Sequence, residues 1–145
     1  MKGKCLCGAV AFEIVGKLPK IYQCHCSLCR RVSGSASNSA MLVAVADFHW
    51  LSGEDKIVKY QTASGFRSEF CGCCGSPLPN ETKDGTLIWV PAGLLDDPAA
   101  TGIAVHVYVG SKSSWDTAFL PDSAPQYAEM PPAGELMALL HGTND

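Results

Sequence analysis

Short apolar runs recur along the chain: "GAVAFEIVG", "SAMLVAVA", "KIVKYQT", "RSEFC", "TLIWVPAG" and "IAVHVYVG". Turn-forming stretches separate them, among them "GKLPK", "SGED", "ASG", "TKDG" and "DDP". Runs this short, bounded by Gly, Pro, Asp and Ser, predict strands rather than helices. Alternation is clearest in "AVHVYVG", where Val105, Val107 and Val109 fall on one face and His106 and Tyr108 on the other. The pattern predicts a mostly β chain of short antiparallel strands. Helix signals are few. One short helix is expected from Ser27 through "LCRRV" to a stop at Gly34, and another in "GELMALLHG", where Leu136, Leu139 and Leu140 share a side. Four prolines between Pro121 and Pro132 predict an extended strap there, read as a closing loop over the surface. No internal repeat is visible.

Composition narrows the class. At 145 residues and 47% hydrophobic content, the chain fits one domain, residues 1–145, with a core of its own. No apolar run approaches the length of a membrane span, so no membrane partner is expected. The opening "MKGKCLCGAV" lacks the pattern of a secretory leader, and the expected location is cytoplasmic. Net charge is −3, and the longest basic run is Arg30–Arg31, so a nucleic-acid partner is not expected either. Eight cysteines change the picture most. Without an export signal, and with Cys5/Cys7 and Cys24/Cys26 each separated by one residue, they read as metal ligands rather than disulfides.

The cysteines sort into two groups. On a strand, residues i and i+2 share a face, so Cys5 and Cys7 in "KCLCG" can reach one ion, with Gly8 turning the backbone away. Cys71 and Cys74 in "FCGCCG" have knuckle spacing, and Gly75 suits the left-handed turn that follows. Two and two make a closed tetrahedral site, the mark of a structural zinc ion. Cys73 is left as a spare thiol.

"CHCSLC" holds three thiols, Cys24, Cys26 and Cys29. A strand end would direct the first two to one side, and the helix starting at Ser27 would return the third near its N-terminus, where thiolates are favoured. Three protein ligands with an exchangeable fourth mark an open, catalytic zinc. The bland alternative is a second structural site completed by a distant residue, the candidates being His25, His49, His106 and His141. Strand alternation turns His25 away from the two thiols. His106 is compatible with a proton carrier and equally with packing.

With these residues in hand, the chain resembles the glutathione-dependent formaldehyde-activating enzyme family, through "CLCGAVAFEI", "CHCSLCRRVSGS" and "FCGCCGSPL", with weaker echoes in "IWVPAGLLDDP" and "HVYVGSKSSWDTAFLPDSAPQYAEMP". The resemblance implies a β-tent (Mss4-like) zinc-binding fold, a structural zinc at Cys5, Cys7, Cys71 and Cys74, and a catalytic one at Cys24, Cys26 and Cys29. Two zinc ions per chain are thus expected, one tight and one labile. It implies a carbon–sulfur lyase that reversibly joins a small thiol such as glutathione to an aldehyde such as formaldehyde. Arg30 and Arg31, directly after Cys29, are candidates to pair with a glutathione carboxylate, against the reading of a solvated helix face. Ser33, Gly34 and Ser35 could line the pocket or simply stop the helix. Trp115 could wall the site, though aromatic core packing is the plainer expectation. The rival function is a non-catalytic zinc module for interaction or chaperone-like work on the same fold.

Overall fold

Valine, isoleucine and aromatic residues in period two build most of the strands, because they suit a pleated, half-buried surface. The computed structural model of the chain describes residues 1–96, 101–117 and 124–142. Along them run ten strands and two α-helices: β1 Lys2–Lys4, β2 Ala11–Ile14, β3 Ile21–Cys24, α1 Ser27–Ser33, β4 Asn38–Ala44, β5 Phe48–Ser52, β6 Ile57–Gln61, β7 Arg67–Cys71, β8 Asn80–Glu81, β9 Leu87–Pro91, β10 Ile103–Val107 and α2 Ala133–His141. The fold is mostly β, as the pattern predicts, and each of the six apolar runs carries a strand. The remaining four are β1, β3, β5 and β8, of which "KGK" and "NE" are too short and polar to show in periodicity and exist through their pairing partners. The turn at "DDP" passes beyond residue 96, and residues 121–123 of the proline strap likewise lie outside the described residues.

Contacts sort the chain into two compact units: Met1–Leu18 with Met41–Ala100, and Pro19–Ala40 with Thr101–Asp145. In the first, β1, β2 and β5 form an antiparallel sheet in register at Gly3↔Phe12 and Ile14↔Phe48. Alternation along β2 buries Phe12 and Ile14. Phe12 stacks on Phe48 at 5.3 Å, and Trp50 meets Phe48 edge-on at 5.0 Å. The hairpins β6–β7 and β8–β9 complete the unit's strands. A second apolar cluster holds Val10 and Leu78 together with Cys5 and Cys71. Burying each such aliphatic side chain is worth roughly 1.5–3 kcal/mol, so this cysteine group stands on a real core. Gly53, at φ +79°, is wedged under it: a Cβ there would lie 2.1 Å from the Ala9 carbonyl oxygen.

In the second unit β3 lies between β4 and β10. The β3–β4 pair is antiparallel, Cys24 facing Asn38; β10 runs parallel to β3, with Val107 facing Cys24. Alternation alone does not distinguish these directions, and the expected all-antiparallel arrangement is corrected where β10 pairs with β3. The described part of the strap binds the chain at β10: His106 N–H donates to Pro125 O at 2.9 Å, and Tyr127 N–H to His106 O at 2.9 Å. These bonds satisfy backbone groups along that edge. Helix α2 packs on β10 and buries Leu136 and Leu140, one turn apart, while Leu139 is only half-buried.

Candidate functional site

Four sulfurs meet in the first unit. Those of Cys5, Cys7, Cys71 and Cys74 all lie within 4.8 Å of one another. Cys5 and Cys7 are not on a strand, contrary to the expectation from spacing: β1 ends at Lys4, and "CLCG" forms a turn closed by Gly8 N–H to Cys5 O at 3.0 Å. The turn brings the two sulfurs together, Cys5 buried and Cys7 exposed, and Val10 N–H reaches Cys5 Sγ at 3.3 Å. Gly8 and Gly75 both sit at φ +76°, the left-handed region that each knuckle requires. Ser76 braces the two halves, accepting from Leu6 N–H at 2.9 Å and from the Cys74 thiol at 3.4 Å.

The donor set fits a zinc-like ion. Tetrahedral coordination with sulfur at about 2.3 Å sets sulfur–sulfur edges of about 3.8 Å. Here Cys5–Cys7 is 3.6 Å and Cys7–Cys71 is 3.9 Å. A disulfide needs sulfurs about 2.05 Å apart, and all eight cysteines are free. Charge points the same way. The Ser76 hydroxyl draws the Cys74 thiol down to about 5. The Ala9 amide pulls Cys7 in that direction too, but Cys5, burial and the other two sulfurs outweigh it and push Cys7 up to about 12. One thiolate suppresses the next, and only a cation lets all four ionise together.

Three sulfurs meet in the second unit, those of Cys24, Cys26 and Cys29, again within 4.8 Å. Among the described residues no fourth Cys, His, Asp or Glu joins them. Cys24 ends β3. Cys26, expected at the strand end, is instead the N-cap of α1, its sulfur accepting the Cys29 N–H at 3.4 Å. Extended backbone at Cys26 (φ −67°, ψ 160°) followed by one helical turn is what returns Cys29 to the group. Cys29 beside it draws Cys24 down to about 6 despite burial, and the same contact with Cys24, reinforced by burial, drives Cys29 far up. This group too gains from a cation.

The neighbours of the trio are polar and buried. His25 is 2% exposed and His106 fully buried, with His25 Nε2 and His106 Nδ1 3.2 Å apart. The Asp116 carboxylate stands 3.8 Å from His25 Nδ1. Burial first, then the His106 and Lys112 charges, hold His25 below the ordinary imidazole range, with Asp116 opposing them. His25, expected only to turn away from the two thiols, lies beyond the end of β3 and faces His106. His106 does not share an exposed face with Tyr108: β10 is buried on both sides from Ala104, and Tyr108 (φ 57°) leaves the strand. Tyr108 still feels the trio, its phenol raised by burial and then by the charges of Cys24 and Cys26.

The remaining predicted residues divide. Arg30 is no solvated cation: Nη1 donates to Ser113 Oγ at 2.7 Å, while Nε is buried without a partner. Arg31 is exposed. Ser33 bonds to Cys29 O at 2.8 Å and Gly34 takes the left-handed C-cap, so these residues stop the helix. Trp115 is 67% exposed, which overturns the core-packing expectation. Cys73 is exposed and stands outside both sulfur groups. Asp116, Ser113 and Ser76 escaped sequence reading. Only Ser76, directly after "CCG", carries a local signal.

Three comparisons place this arrangement among known proteins. The model of the family described as glutathione-dependent formaldehyde-activating enzyme matches residues 1–111. A Halomonas elongata protein, whose name assigns it provisionally as such an enzyme, is 34% identical over 85 residues, 54% of each chain. An uncharacterized lyase of Schizosaccharomyces pombe is 30% identical over 77 residues, 53% of this chain and 54% of its own. The chain thus spans about half the length of the curated relatives it matches. A crystal structure of a Rhodobacter sphaeroides protein matches with a TM-score of 0.55 at 24% identity, covering 71% of this chain and 99% of that one, a likeness of fold alone. Among the described residues, no helix is long and apolar enough to cross a membrane.

Proposed function

The chain belongs to the glutathione-dependent formaldehyde-activating enzyme family, and on that footing we propose that it reversibly joins a small thiol, such as glutathione, to an aldehyde, such as formaldehyde, at Cys24, Cys26 and Cys29. The observation that carries this reading is the three-sulfur group, which offers one donor fewer than a closed tetrahedron. Cys5, Cys7, Cys71 and Cys74 would hold a structural zinc ion, and the trio a second, more labile one. When bound by three thiolates, zinc supplies a Lewis acid that keeps a substrate thiol deprotonated near neutral pH.

The chain's own groups do the rest. The Cys29 amide fixes the Cys26 sulfur, and β10 in register with Cys24 fixes the first. Arg31, exposed one turn along α1, is free to meet a carboxylate of the thiol; Arg30, tied to Ser113, lends its charge and its unpartnered Nε. Sulfur adds to the aldehyde carbon, the carbonyl electron pair moves to oxygen, and the proton released by the thiol ends on that oxygen. The reverse reaction breaks the same carbon–sulfur bond.

Formaldehyde loss measured with a panel of thiols tests the reading. The expected result is acceleration with at least one thiol, lost by on the order of 100-fold or more in Cys26→Ser, the scale at which a metal activates its bound nucleophile. No acceleration with any thiol, in protein carrying two zinc ions, would move the chain to the rival reading of a non-catalytic zinc module.

A further inference from the structure

Two buried imidazoles and a carboxylate lie directly behind the three-cysteine loop, and the reaction above gives them no part. His25 stands between two of the three sulfur-bearing residues. Its backbone N–H donates to Val107 O at 3.0 Å, and its ring meets His106 Nδ1 at 3.2 Å. Both attachments end on β10. The outer nitrogen, His25 Nδ1, is buried without a hydrogen bond, and the Asp116 carboxylate, itself only 12% exposed, faces it at 3.8 Å. An orphaned donor in a buried place calls for a reason, since such groups are nearly always paired.

We propose that Asp116, His25 and His106 form a clamp that positions the three-cysteine loop for its ion, with His25 as the wedge that fixes the angle between the Cys24 and Cys26 sulfurs. The carboxylate favours the His25 tautomer with its proton on Nδ1, which makes Nε2 the acceptor and His106 Nδ1 the donor. One tautomer then gives one ring orientation. Because residue 25 is held through both backbone and ring, the sulfurs on either side cannot swing independently. Partners that orient metal-binding side chains from behind typically contribute 10–100-fold to metal affinity. These residues act through the cysteines and touch no ion. The inference rests on the trio's being a metal site, and the test keeps the two claims apart.

The experiment loads the full chain with Co²⁺ and takes the absorption difference between wild type and Cys26→Ser as the spectrum of the trio. Chelator competition gives the affinity of each ion separately. His106→Leu should weaken the trio's ion 10–100-fold and shift its Co²⁺ bands, leaving the four-cysteine ion unchanged. His106→Asn, which restores a side-chain donor, should recover part of the loss. Asp116→Asn, which keeps the side chain's size and removes its charge, should weaken the same ion by a smaller factor. Wild-type bands and affinity in both His106→Leu and Asp116→Asn would overturn the clamp, as would equal weakening of both ions. If wild type takes up a single ion, the metal reading of the trio falls, and the clamp with it.

Discussion

The two cysteine groups are made of the same residue with similar spacings, yet their surroundings are opposite. Cys5 and Cys71 sit in an apolar cluster with Val10 and Leu78, braced by Ser76. Cys24, Cys26 and Cys29 sit at a strand–helix junction beside His25, His106, Asp116 and Arg30. A closed set of four donors has nothing left to offer a guest, so an apolar backing behind Cys5 and Cys71 suits it, with Cys7 left at the surface. An open set of three invites one, and polar neighbours can hold that guest's charge. The contrast teaches that the donor count and the side chains standing behind it go together.

The widest separation between the groups should appear in stability. Cys71→Ser removes a ligand whose ion, by analogy with zinc-finger peptides, contributes on the order of 10 kcal/mol, as much as a domain's whole net stability. Thermal unfolding followed by circular dichroism should lose its cooperative transition. Cys26→Ser should retain it, with the midpoint moved by only a few degrees, because serine is a good N-cap and can still accept the Cys29 N–H. Similar losses in both variants would erase the distinction.

Acid should then order the two ions. A thiol held below its ordinary value is stabilised as thiolate at high pH, and that stabilisation fades as pH falls through the folded value. Cys24 and Cys74 are both held below the ordinary thiol range, by Cys29 and by Ser76 respectively. Titrated downward with a zinc indicator present, the trio, with one thiolate fewer to hold its ion, should release it at higher pH than the tetrad. Release in the opposite order would contradict the open-versus-closed assignment. The smallest effect concerns packing under the tetrad. Gly53→Ala places a methyl against the Ala9 carbonyl in a left-handed backbone, at a cost of about 1–3 kcal/mol. It should lower the unfolding midpoint by several degrees and leave the trio's ion affinity untouched.

Much of this was legible in the one-dimensional chain. Spacing marked the pairs Cys5/Cys7 and Cys71/Cys74 and the trio, because ligands close in sequence are brought together by a turn or a single helical turn, both local structures, whereas the meeting of the two pairs, 64 residues apart, is a tertiary contact. Helix α1, its stop at Gly34 and the strands of the six apolar runs followed from equally local rules. The means by which the cysteines converge did not. "CLCG" is a turn rather than a strand because the Cys5–Val10 backbone bond and the Leu78 cluster close it, and Cys26 is a cap because α1 begins one residue later.

What only the tertiary structure decided are the relations between distant positions. Parallel pairing of β10 with β3 brings His106 to His25, 81 residues away. It also brings "SSWD" into reach of the cysteine loop, so that Ser113 and Asp116 acquire partners no local pattern announces. Trp115 could be read either way from its sequence and proved exposed. Residue chemistry and short spacings determine which atoms can bind an ion. Long-range strand pairing, whose direction and register periodicity does not encode, determines what stands behind them.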